Sequence, residues 1–192
     1  MSGGAGLFQD TPRLSPGYFS LANSGVVWPP GGVRSNAGTG MTKDRAYFVF
    51  IGRASAVEII KYIGVPQTSN GTTDFTGEVG AFTTPLPPIR AAGQTLTKVW
   101  ASALPDMTSG SGALRVNTTA NAISHPVDAP TWIAWRATSS GTMPSVAQLI
   151  RTFTSGDLLV TDTAGALTAS SSFTGAIPAF GDIAPLLVAC KD

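Results

Sequence analysis

The chain carries a single histidine, His125, and a single cysteine, Cys190, so chemistry built on paired imidazoles or clustered thiolates has no material to work with. One histidine cannot form a two-histidine metal site, and no zinc-protease spacing is present. One cysteine excludes an intrachain disulfide and a multi-thiolate centre. Cys190 follows Leu186-Leu187-Val188-Ala189, a setting that reads as a small buried hydrophobe. His125 precedes Pro126, which biases it toward extended geometry and places it in a loop entering the next strand. Asp128 is near it in sequence, but no G-x-S-x-G elbow marks a nucleophile for a Ser-His-Asp arrangement.

Carboxylates need neither residue. Asp74 with Glu78, and Asp157 with Asp162, are spaced so that each pair can be weighed as the acid and base of glycoside cleavage, which requires two carboxyls facing each other across a sugar. With 11 acidic residues in the chain some proximity is expected by chance. The glycines at 38 and 40, 77 and 80, and 110 and 112 match neither a Walker loop nor a dinucleotide fingerprint and read as turns. No acidic loop of EF-hand type is present. Trp28, Trp100, Trp132 and Trp135 offer material for a sugar-stacking platform, against which stands the simpler reading of Trp132 and Trp135 as core. Asn70-Gly71-Thr72 and Asn117-Thr118-Thr119 match the glycosylation sequon, but without a secretion signal they read as a turn and a polar strand. The inventory predicts no catalytic residue, no metal and no organic cofactor.

The surrounding composition narrows the class further. Charged residues are 12% of the chain, against about 25% in ordinary soluble domains, while the apolar share is 43%. Lys and Arg number 12 and Asp and Glu 11, for a net charge of +1, so a nucleic-acid partner is not expected. A mean hydropathy of +0.18 at that net charge argues against intrinsic disorder. The N-terminal residues lack the basic and long apolar regions of a signal peptide, and the uncharged stretches at 14–33 and 163–181 are too rich in Pro, Gly, Ser and Asn to span a bilayer. An uncleaved, cytoplasmically made chain without membrane insertion is expected.

The elements that must carry these residues are strands. Residues 1–44 read as an extended docking arm: Pro12, Pro16, Pro29, Pro30 and Gly31-Gly32 deny regular structure, while Tyr18, Phe19, Val27 and Trp28 are the apolar anchors. Residues 45–192 read as one all-β domain, an antiparallel β-sandwich, with a jelly-roll-like barrel as the alternative that periodicity does not separate. Ala46-Tyr47-Phe48-Val49-Phe50-Ile51, the alternation around 57–65, 78–82, 95–101, 114–118, 131–138, 158–161 and 186–189 supply its strands; 146–153 invites a helix instead. Ser69-Asn70-Gly71-Thr72 reads as a tight hairpin turn.

Several of these segments together carry a resemblance. Leu14-Ser15-Pro16-Gly17-Tyr18, Arg45-Ala46-Tyr47-Phe48-Val49-Phe50, Gly77-Glu78-Val79-Gly80-Ala81-Phe82, Asp128-Ala129-Pro130-Thr131-Trp132-Ile133-Ala134-Trp135 and Ala184-Pro185-Leu186-Leu187-Val188-Ala189 are similar to small β-sandwich proteins on the virions of tailed bacteriophages. The Ser/Thr-rich stretch around Ser170-Ser171-Ser172 departs from the pattern. The resemblance implies a non-enzymatic virion protein on the particle surface: a fibre or receptor-binding component, or alternatively a capsid decoration protein. It implies no cofactor, a homotrimer, other virion proteins and a host surface glycan as partners. A free carbohydrate-binding module is the competing class.

Overall fold

A computed structural model describes residues 18–19, 26–27, 34–54, 58–85, 92–109, 114–125, 129–149, 158–178, 184–185 and 187–190, and among them there is no helix. The first strands are β1 (Tyr18–Phe19), β2 (Val26–Val27) and β3 (Arg34–Gly40). Longer ones follow: β4 (Ala46–Ala54), β5 (Glu58–Pro66), β6 (Thr76–Thr83), β7 (Gln94–Ala103), β8 (Leu114–His125) and β9 (Pro130–Thr138). The chain ends with β10 (Ser145–Leu149), β11 (Leu158–Thr161), β12 (Ser172–Gly175), β13 (Ala184–Pro185) and β14 (Val188–Cys190). The all-β expectation holds.

One antiparallel sheet organises the rest. Its strands run β12-β7-β6-β9-β4, with β11 on the far edge of β4. Val160 of β11 and Ala176, just after β12, exchange backbone hydrogen bonds of 2.8 and 2.7 Å and join the two ends of the sheet. The sheet is thereby nearly closed into a barrel.

Strand β4 shows why both surfaces of this sheet must be covered. Successive side chains point to opposite faces, and here both sets are apolar: Ala46, Phe48 and Phe50 face the barrel interior, Tyr47, Val49 and Ile51 the outside. Inside, Phe48 and Phe50 meet Phe82, Leu96, Trp132, Leu159 and Phe173. The Phe48 and Phe82 rings stand edge to face at 5.1 Å, and Phe50 lies 5.0 Å from Trp132. A barrel this narrow is filled by side chains rather than hollow. Each fully buried ring contributes roughly 1.5–3 kcal/mol of transfer free energy. Gly80 leaves the room they need, since a Cβ there would sit 2.8 Å from Phe82 Cε2 and 2.8 Å from the Trp100 carbonyl oxygen.

Outside, the barrel wall packs on a second layer. Tyr47, Val49, Val79, Ala81, Ile133 and Trp135 share one core with Ile60, Ile63 and Val65 of β5, Val146 of β10 and Ala189 of β14. That layer comprises the sheets β2-β14-β5-β8 and β13-β10-β3. Two layers face each other as in a sandwich, and one of them curls round behind to enclose a second core.

Local departures from the sequence reading have identifiable causes. In β7, Ala81 pairs with Trp100 but Phe82 with Lys98, which leaves Val99 as the extra residue of a bulge. The alternation reverses across it: Leu96 faces the interior, Trp100 packs on the outer core, and Ala101 returns to the inner one. A register shift between Ile60 and Tyr62 likewise lets Ile60 and Ile63 share one core despite opposite parity. Ser69-Asn70-Gly71-Thr72 is no hairpin turn, because β5 and β6 lie in different sheets and the segment crosses between them. Residues 145–149 are strand, not helix, and 150–153 lie outside the described residues. The Ser/Thr-rich stretch supplies β12; of the run 186–189, residue 186 lies outside the described residues, buried Leu187 belongs to no strand, and 188–189 fall in β14.

Candidate functional site

The densest group of interacting charges among the described residues lies at one mouth of the barrel. Glu78 near the start of β6 and Arg136 near the end of β9 are direct register partners. Both have the parity of the inward residues Phe82, Trp132 and Ala134, so the strands carry two opposite charges toward the barrel axis. Their side chains are 5% and 11% exposed. The connection from β11 to β12 lies across this mouth and sends Ala164 and Leu167 into the inner core.

The two charges hold that connection by its backbone. Glu78 Oε2 accepts from Leu167 N at 2.8 Å and Arg136 Nη1 at 3.4 Å; Oε1 accepts from Thr168 Oγ1 at 2.5 Å and Thr168 N at 3.3 Å. Those contacts match the roughly four acceptor positions of a carboxylate. Arg136 donates from Nε to the Ala164 carbonyl at 2.8 Å and from Nη2 to Asp44 Oδ1 at 3.0 Å. Asp44 sits at φ 58°, in the left-handed region that Asp tolerates better than most residues, and its carbonyl accepts from Ala164 N at 2.7 Å. Arg45 pairs with Asp162, and Lys98 Nζ donates to the Thr168 carbonyl at 2.7 Å.

The carboxylate pairs weighed from the sequence are taken up separately. Asp74 belongs to another network: Thr72 Oγ1 and Ser139 Oγ donate to its Oδ1 at 2.6 and 2.8 Å, and Ser140 N donates to Oδ2. Hydrogen bonds from Ser140, then Thr72 and Ser139, hold this carboxyl well below the usual carboxylate range. Asp74 and Glu78 therefore each fasten a loop, and neither is presented as the partner of the other. Asp162 is engaged by Arg45, while Asp157 lies outside the described residues. Among the described residues no group of three or more His, Cys, Asp and Glu is placed to hold a metal ion.

The other singled-out residues are dispersed. Trp132 and Trp135 are fully buried in different cores, and Trp100 is partly buried against the outer one. They form no shared platform; Trp28 lies outside the described residues. Trp132 Nε1 donates to Thr84 Oγ1 at 3.3 Å, whereas buried Trp135 Nε1 has no partner. His125 ends β8, with its backbone opposite Glu58, rather than standing in the loop before β9. Of the arm anchors, Tyr18 and Phe19 form β1, parallel to Arg53 and Ala54 of β4, and Val27 in β2 lies opposite Ala189.

Sequence reasoning missed the mouth cluster, although a signal existed. Glu78 interrupts the inward series of β6 and Arg136 that of β9, and opposite charges on the apolar sides of two strands demand each other's company. No protein-family profile matches the chain, and neither a curated protein nor a solved structure matches it.

Proposed function

We propose that the chain is a non-enzymatic structural component of a bacteriophage particle surface, a fibre or receptor-binding element that associates with copies of itself. The observation that carries this reading is the place of the N-terminal strands: β1, β2 and β3 are each the outermost strand of a different sheet. A segment laid along separate sheet edges contributes main-chain hydrogen bonds without entering the middle of any sheet, which is how extended arms attach one folded unit to another. The use of Glu78, Arg136 and Asp74 as loop fasteners supports a structural rather than a reactive role.

The test is made on particles. Antibody raised against the purified chain should label fibres or the tail tip in electron micrographs, and free protein added to host cells beforehand should lower phage adsorption. Label spread over the head would favour capsid decoration instead. Absence of the chain from gradient-purified particles would overturn the proposal, as would time-dependent release of reducing ends from host surface polysaccharide.

A further inference from the structure

We infer that the Asn70-Gly71 step is a site of spontaneous deamidation, and that Gln67 and the Met107 carbonyl form the gate that holds the reaction back in the folded chain. The chemistry is independent of the role at a particle surface.

Asn70-Gly71 is the sole Asn-Gly step in the sequence. An asparagine followed by glycine can close on the backbone: the Gly71 nitrogen loses its proton to base and bonds to Asn70 Cγ, and the side-chain amide nitrogen takes up a proton and leaves as ammonia. Water then opens the cyclic imide at either carbonyl, giving aspartate or isoaspartate. No oxidant or reductant is consumed. Glycine eases the closure because no Cβ shields the nitrogen or restricts the backbone. Packing demands glycine here, since a Cβ at position 71 would lie 2.9 Å from Pro144 Cδ and 3.3 Å from the Thr142 carbonyl oxygen. The crossing from β5 to β6 therefore carries a reactive pair as a consequence of its close approach to the segment before β10.

The fold ties both reacting groups to shared partners. Gly71 N donates to the Met107 carbonyl at 3.0 Å, and the same carbonyl accepts from Gln67 Nε2 at 2.8 Å. Gln67 Nε2 also donates to Asn70 Oδ1 at 3.2 Å and to the Ser69 carbonyl at 3.1 Å. Gln67 is buried, so its amide has these acceptors in place of bulk water. Flanking residues fasten the same segment: Thr68 N and Ser69 N donate to the Ser145 carbonyl at 2.8 and 3.3 Å, and Thr72 N donates to the Thr142 carbonyl at 3.1 Å. Asn70 itself is exposed, so water and base reach its side chain; what the fold withholds is the Gly71 proton. Base removes that same proton in amide hydrogen exchange, and a protected amide exchanges when its segment opens. Deamidation at Asn70 thus proceeds from the opened segment, and exchange at Gly71 measures how often that segment opens.

The test incubates the full chain in mildly alkaline buffer and follows aspartate and isoaspartate at position 70 by mass-spectrometric peptide mapping. Unfolded in guanidinium chloride, the chain should convert Asn70 ahead of its other asparagines; folded, conversion should slow by the factor that separates Gly71 hydrogen exchange in the two states. Gln67→Ala removes the hydrogen bonds that join Asn70 to the Met107 carbonyl and should speed both processes in the folded chain about tenfold. Asn70→Gln should abolish the modification. An unfolded chain that leaves Asn70 intact would overturn the site, and a folded parent that converts as fast as the unfolded one would overturn the gate. Slower conversion in Gln67→Ala would also refute the gate, because Gln67 would then be polarising the Asn70 carbonyl for attack. Should Gln67→Ala fail to fold, the parent decides alone: a protected Gly71 amide beside unprotected Asn70 refutes the inference.

Discussion

Removing the Glu78 carboxylate should detach the loop that closes the barrel mouth. Glu78→Ala takes away the acceptor for Leu167 N, Thr168 N and Thr168 Oγ1, and one anionic partner of Arg136. Breaking a buried ion pair from one side costs about 3–5 kcal/mol. Arg136 keeps Asp44 and the Ala164 carbonyl, which holds the charge contribution to the low end of that range. Leu167 is buried, so its orphaned amide adds about 1–3 kcal/mol, whereas exposed Thr168 can turn to water. The expected loss is about 4–6 kcal/mol, a large part of the roughly 5–15 kcal/mol that stabilises a typical domain. Glu78→Gln keeps the shape and one acceptor oxygen and should lose about half as much. Urea denaturation gives the energies, and amide hydrogen exchange at Leu167 and Thr168 gives the location. A Glu78→Ala midpoint matching the parent, or unchanged exchange at those amides, would refute the assignment of Glu78 as the loop's fastener.

Trp132→Phe should destabilise by about 1 kcal/mol more than Trp135→Phe, because only the first breaks an indole hydrogen bond, to buried Thr84, while the second removes a buried donor that has no partner; equal losses in urea would refute this. Gly80→Ala should cost about 1–3 kcal/mol by overpacking against Phe82 and the Trp100 carbonyl, read as a lowered thermal midpoint. Asp74 is held by hydrogen bonds below its unfolded value of 3.8, so its contribution is present above that value and is lost as pH falls through the folded one. Asp74→Asn should therefore lower the urea midpoint at neutral pH and flatten its decline below about pH 4, and an unchanged acid limb would refute the role.

The strands were legible where β-branched and aromatic residues concentrate, as in β4 and β9, because propensity and alternation agree there. Alternation does not tell whether a strand apolar on both sides lies between two layers or in a barrel wall, and Trp132 and Trp135 illustrate the ambiguity by entering different cores. Strand β12 was hidden because its inward residues are only Phe173 and Gly175, while Ser172 and Thr174 are exposed and look like loop. Bulges conceal themselves in the same way: nothing in Lys98-Val99-Trp100 announces that Val99 will be left unpaired. The mouth cluster shows its two charges in the sequence but not their pairing. Glu78 and Arg136 lie on separate strands, and only the order in which β6 and β9 become neighbours puts one opposite the other.

That juxtaposition also bears on how the fold is specified. The hydrophobic drive to bury apolar surface is non-directional, and Val79 and Ala81 are apolar enough to fill interior positions if β6 slid by one residue against β9. Such a slip would turn every side chain of β6 to the opposite face. Glu78 would then point into the outer core among Tyr47, Ile133 and Trp135, away from Arg136 and the Leu167 amide, at the cost of an unpaired buried charge. The native register places Glu78 opposite Arg136 and both beneath the loop that caps them. In a chain where charges are only 12% of residues, the pair thus does what the plentiful apolar residues cannot: it distinguishes one strand alignment from its nearest competitor.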